Sequence, residues 1–172
     1  MNWSFIVGPH LMPVNPFSDE SICSTLAYYD KNAGEFVRRT RDVDIKATRQ
    51  AFTALLPPRA HILDAGCGSG RDAAAFLYEG FTVTAFDGSV AMAELASAGT
   101  GLRVLQLTFG QVAFDAVFDG IWACASLLHL PTDHLDDAVA RLIAALKPAG
   151  ILFICPSKRA RARRTWMGDS LL

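Results

Sequence analysis

Charge of either sign in excess, long apolar runs and paired cysteines are all missing from this chain. Its 17 Asp and Glu residues nearly cancel its 16 Lys and Arg, leaving a formal net charge of −1. Such a balance argues against a dedicated electrostatic binder of nucleic acid and against a disordered charged tail, and it favours a small, uncharged partner. No stretch reaches the roughly 18 apolar residues that a bilayer span requires, so no membrane partner is expected. The opening MNWSFIVGPHLMPVNP has neither the basic start nor the unbroken apolar segment of a secretory signal. The four cysteines, Cys23, Cys67, Cys124 and Cys155, lie far apart, without the spacing of a disulfide framework or a metal site. Reduced thiols, a cytoplasmic location and no bound metal are the corresponding expectations. Internal repeats are also lacking.

What is present is a chain of 172 residues, half of it hydrophobic, which suits one domain with a real core. Pro13 and Pro16 mark residues 1–22 as an arm, residues 23–156 form the domain, and residues 157–172 read as a basic irregular tail. Apolar positions at helical spacing give a first helix from Ser24 to Thr40. A second starts after Asp42 or Asp44 as N-cap and stops at Pro57 and Pro58. Strands are then expected at 60–63, 81–86, 102–107, 120–124 and 151–155. Between them come helices at 71–79, from the cap Ser89 to Ala98, and at 135–146. Alternation of this kind implies an α/β fold, a Rossmann-like doubly wound and mainly parallel sheet preceded by two helices.

In such a sheet, ligands bind at the carboxyl ends of the strands, and the turn after the first strand lies there. Here it reads Asp64-Ala65-Gly66-Cys67-Gly68-Ser69-Gly70. Alternate glycines permit positive φ and a close approach by a ligand, while the next helix offers its N-terminal N–H groups. The dinucleotide fingerprint G-x-G-x-x-G would need glycine where Arg71 stands, so the spacing is G-x-G-x-G instead. About twenty residues further on, Asp87 ends the second strand, where a nucleotide fold places the acid that holds ribose hydroxyls. A helix-capping role would also account for an acid there.

The blocks AYYDKNAGEFVRRTRDVD, HILDAGCGSGRDAAAFL, TVTAFDGSVAM, FDGIWACASLLHLP and ALKPAGILF, in this order, resemble class I S-adenosylmethionine-dependent methyltransferases. The likeness is to small-molecule enzymes loosely grouped with the tellurite-resistance methyltransferases, and it runs from about Ala27 to Phe153. It implies S-adenosylmethionine as cofactor and a small-molecule methyl acceptor. It also implies that Asp64 and the loop Gly66, Cys67, Gly68, Ser69 and Gly70 hold the methionyl part, with Arg71 near its carboxylate. By the same resemblance Asp87 holds the ribose, and Gly88, Ser89 and Met92 border the adenosine. Phe109 and Gln111 fall where the adenine is read, Gln111 replacing the commoner aspartate. Phe109 suits core packing equally well.

The fourth strand runs into Ala125, Ser126 and His129 at the same edge, facing the methyl group and its acceptor. His129 is the candidate catalytic base, since a neutral imidazole can take a proton from a thiol, hydroxyl or amine; a packing role is its alternative. Tyr29, beside Tyr28 on the first helix, belongs to a lid over the cofactor in this family.

The strand hairpin that completes a class I sheet has no counterpart here. From Lys158 to Arg164, five of seven residues are basic. An apolar fifth strand left as a sheet edge is a template for self-association. Two further readings therefore stand beside the enzyme: a relic that binds the cofactor without turnover, and an NAD-binding dehydrogenase fragment.

Overall fold

A computed structural model describes residues 20–155 apart from position 41; the expected arm up to residue 19 and the basic tail lie outside these residues. Helix α1 (Glu20–Thr40) and helix α2 (Lys46–Thr53) come first. There follow β1 (His61–Ala65), α3 (Arg71–Tyr78), β2 (Thr82–Asp87), α4 (Val90–Thr100) and the short β3 (Leu105–Gln106). The chain then forms β4 (Phe118–Cys124), α5 (Thr132–Ala145) and β5 (Leu146–Cys155). Among the described residues, no helix is long and apolar enough to cross a membrane.

All five strands pair in parallel in the order β3-β2-β1-β4-β5. Strand order reverses between β1 and β4, so a crevice opens at their carboxyl ends. Because side chains alternate across a strand, consecutive residues feed opposite layers of the core. Leu63, Phe86 and Ile121 face α5 residues such as Ala138 and Leu142 on one side. Ile62, Ala85 and Trp122 join Phe52 and Phe76 on the other. Trp122 is fully buried and stacks on Phe153 at 4.2 Å between ring centroids.

Several element ends differ from the sequence expectation. Helix α1 begins four residues earlier, at Glu20 rather than Ser24. Asp44 does accept a hydrogen bond from Lys46 N at 2.8 Å, although Ile45 is the residue at the helix boundary. The third strand shrinks to two residues because the N–H groups of Leu102 and Val104 donate to Thr100 Oγ1 and Ser97 Oγ of α4. That stretch is tied to a helix and leaves the ladder. Helix α5 starts earlier, directly after Pro131, and it ends at Ala145. Leu146 belongs to β5, opposite Phe118, since the next residue, Lys147, precedes Pro148 and resists helical backbone, and Ala149 turns to φ 64°.

Candidate functional site

The crevice is a cavity of about 480 Å³ whose floor is the turn after β1. Gly66 takes φ 73°, and a Cβ there would sit 2.5 Å from Ser126 Cβ, so only glycine lets the turn pass beneath the end of β4. The N–H groups of Gly66 and Cys67 both donate to Phe86 O, which locks the turn to β2. Gly70 at φ 73° opens α3, and a Cβ there would press on the Thr100 and Ala96 side chains of α4 at 2.9 and 3.0 Å.

Three carboxylates line this cavity, Asp64, Asp72 and Asp87, of which Asp64 and Asp87 lie at the ends of β1 and β2. Asp64 is 3% exposed; the Ala73 N–H donates to it, yet its Oδ2 has no partner. Burial first, and then the nearby Asp72, pushes its carboxyl well above the usual carboxylate range. An unpaired buried acceptor of this kind is costly unless a donor or cation arrives. Asp87 accepts from Gly68 N at 2.8 Å and from Ser89 N at 2.9 Å, so it clasps the glycine turn to the start of α4. Burial raises its pKa as well, against the lowering pull of those N–H donors. A carboxylate has about four acceptor positions, so capacity remains for ligand hydroxyls.

Helix α1 roofs the cavity with Ile22, Thr25, Leu26, Tyr29 and Phe36. Its anchor is Asp30, whose Oδ1 accepts from both Ser89 Oγ and, at 3.2 Å, Ala91 N. At the rim, the Tyr29 hydroxyl and His129 Nε2 share a hydrogen bond of 2.9 Å, with the rings edge-on at 5.3 Å. Desolvation lowers the His129 pKa and raises that of Tyr29, so both stay uncharged near neutrality. Beneath the second corner of the roof lies a buried ionic hub. Asp72, 6% exposed, takes both ends of the Arg71 guanidinium at 3.0 Å, Arg49 at 3.2 Å and the Trp122 indole N–H at 3.1 Å. Arg71 also donates to the carbonyls of Thr40 and Val43. The hub thus ties the α1–α2 turn to the sheet.

A family model described as a methyltransferase domain matches residues 62–150, just over half of the chain. The chain belongs to this methyltransferase-domain family. The 1,6-didemethyltoxoflavin N1-methyltransferase of Burkholderia thailandensis, solved with its substrate and S-adenosylhomocysteine, superposes with a TM-score of 0.66 at 27% identity; the match covers 87% of this chain and 66% of that one. A TehB-like S-adenosylmethionine-dependent methyltransferase from Corynebacterium glutamicum gives a TM-score of 0.61 at 25% identity, over 73% and 72% of the two chains. In sequence, the ubiquinone biosynthesis O-methyltransferase of Rickettsia prowazekii is 30% identical over 108 residues, 60% of this chain and 42% of that protein. The chain spans about half or less of the length of the curated relatives it matches. The dehydrogenase alternative falls with the family.

Of the expected site residues, Tyr29, Asp64, Gly66, Cys67, Gly68, Ser69, Arg71, Asp87, Gly88, Met92, Phe109, Ala125, Ser126 and His129 all reach the cavity wall. Three do not. Gln111 turns away: its Oε1 accepts from Thr108 N and Oγ1 in a capping box, and so it does not face the space where an adenine would be read. Ser89 is wholly buried as N-cap of α4, receiving Met92 N and donating to Asp30. Gly70 packs on α4 outside the cavity. Arg71 needs a correction of role, because its guanidinium is committed to Asp72 and two carbonyls rather than offered to a ligand carboxylate. Burial also holds the Cys67 thiol protonated by raising its pKa strongly. Sequence reasoning missed Asp30 and Asp72, and of the lid that the resemblance placed on the first helix it named Tyr28 and Tyr29 but none of the apolar residues that line the cavity; for Gln111, the pattern Thr-x-x-Gln was the available signal.

Proposed function

We propose that the chain binds S-adenosylmethionine in this cavity and transfers its methyl group to a small-molecule acceptor. The observation that carries the reading is the unpartnered Oδ2 of Asp64 at the floor of the glycine turn, a buried acceptor suited to an ammonium group. Asp87 in the same cavity suits ribose hydroxyls, and Met92, Leu107 and Phe109 give an apolar wall for an aromatic base. When bound, the cofactor supplies a methyl group activated by positive charge on sulfur. The N1-methyltransferase with its bound substrate and S-adenosylhomocysteine supports both the cofactor and the small acceptor.

The protein's own part is alignment, exclusion of water and proton handling. Holding donor and acceptor in near-attack geometry contributes about 7–11 kcal/mol, so an acceptor that is already anionic needs no base. For a neutral acceptor, uncharged His129 at the rim receives the proton, either at Nε2 after Tyr29 yields or at Nδ1. The apolar roof around Leu26 and Phe36 excludes water and selects against strongly charged acceptors.

A methyl-transfer assay with labelled cofactor over small thiols, phenols and amines tests this directly. Label transfer to at least one class supports the reading. Tight binding of the cofactor with no transfer to any class would leave the binding-only relic. A cytoplasmic location accompanies the proposal, motivated by cysteines held as thiols. Among the described residues β5 is the outer strand of the sheet, with Ile154 41% exposed, and we infer self-association along that edge. Light scattering on the purified chain checks it; a monomer at every concentration contradicts it.

A further inference from the structure

Strands β4 and β5 end on two cysteines, Cys124 and Cys155, that are register partners. Register partners on neighbouring parallel strands stand on the same face of the sheet, about 4.8 Å apart along the hydrogen-bonding direction. Both side chains line the cavity and their thiols are in hydrogen-bond contact. Methyl transfer as described above uses neither sulfur.

The chemistry open to this pair is restricted. Burial and the neighbouring Cys155 push the Cys124 thiol up to about 12, so it is no thiolate nucleophile near neutrality. Thiol–disulfide exchange is slow for such a group, and a soft divalent cation would require both protons to be expelled to solvent. A neutral electrophile that condenses with two neutral thiols avoids both costs. Trivalent arsenic oxides and hydroxides are of this class. For an organoarsenic oxide, two As–S bonds form, the arsenic–oxygen bond breaks, and both thiol protons leave with the oxygen as one water. Arsenic stays trivalent and no net charge is left in the wall.

We propose that Cys124 and Cys155 form a dithiol site on the cavity wall that chelates a trivalent arsenical. The chelate stands inside the cavity, where it changes what else can enter. This inference does not depend on the methyl-donor reading, since it rests only on the pairing of the two thiols at the ends of β4 and β5.

The test uses the full chain with phenylarsine oxide. Expected are one stable adduct, a mass increase of one arsenical less one water, and two fewer titratable thiols per adduct. Dimercaptopropanol removes the arsenical, whereas excess glutathione does not. Cys124→Ala and Cys155→Ala each weaken binding by about a hundredfold, because the second As–S bond no longer forms within one molecule. Cys23→Ala, on the exposed face of α1, keeps full binding. Should Cys124→Ala fail to fold, Cys155→Ala at the strand end carries the comparison together with the wild-type thiol count. An adduct that consumes one thiol, is stripped by glutathione, or survives in Cys155→Ala overturns the proposal.

Discussion

Asp64 and Asp72 are the same residue type on consecutive elements, equally removed from water, yet their surroundings are opposite. Asp72, in the buttress behind the glycine turn, receives two arginines and an indole N–H. Asp64, on the cavity floor, receives one helix N–H and leaves an oxygen unpaired. A buried charge that the protein has satisfied serves the fold; one that it has left unsatisfied is held for a ligand. The buttress therefore governs stability and the floor governs binding.

The largest expected effect comes from breaking the buttress. Asp72→Ala strands two half-buried arginines and the buried Trp122 indole N–H, and is expected to cost about 2–4 kcal/mol, seen as a lowered denaturation midpoint. Next is Gly66→Ala, which forces a Cβ onto Ser126 at a left-handed position. Backbone strain and overpacking together put it at about 2–4 kcal/mol, and Ser126→Gly in the same chain recovers part of that loss.

Asp64→Asn sharpens the contrast, because it is expected to leave the unliganded fold within about 1 kcal/mol of wild type. Its affinity for S-adenosylhomocysteine falls about 10–100-fold in calorimetry, the loss of a charged hydrogen-bond partner. The pH dependence follows from the raised pKa. The folded protein holds the Asp64 proton more tightly than the unfolded chain, whose ordinary value is 3.8. Stability from this group is absent above the folded value, grows as pH falls through it, and levels off near 3.8. Affinity for an ammonium-bearing ligand moves the other way and is lost as pH falls through the folded value. Asp64→Asn flattens both trends.

The smallest effect belongs to the rim. Tyr29→Phe removes one exposed hydrogen bond and is expected to change stability by less than about 1 kcal/mol. His129 titrates below its ordinary 6.5 in the fold through burial. Its contribution to stability is therefore full above 6.5 and is lost as pH falls below it, towards the folded value. An NMR titration of the variant checks that the lowered pKa survives loss of the phenol.

The floor was legible in the sequence because its geometry demands particular residues. Gly66 must be glycine under Ser126, and Asp87 must reach two N–H groups from a strand end. Ser89 was recognisable as a cap for the same reason, though its burial beneath Asp30 was not. The buttress was hidden, since Asp72 meets Arg49 and Trp122 only after α2, α3 and β4 come together. Arg71 was misassigned for that reason; its charge was visible and its partner was not. The short β3 was overextended because the side chains of Ser97 and Thr100 compete for strand N–H groups, which apolar patterning does not register. The spacing of α1 reads as an ordinary amphipathic face, and only the family resemblance said that this face covers a cavity.

Isothermal calorimetry of the wild-type chain with S-adenosylhomocysteine, run beside NAD, bears most directly on the role assigned to Asp64 and its cavity. Saturable heat at one site for S-adenosylhomocysteine and none for NAD is the predicted result. No heat with S-adenosylhomocysteine from a folded protein, or equal binding by Asp64→Asn, would contradict the account.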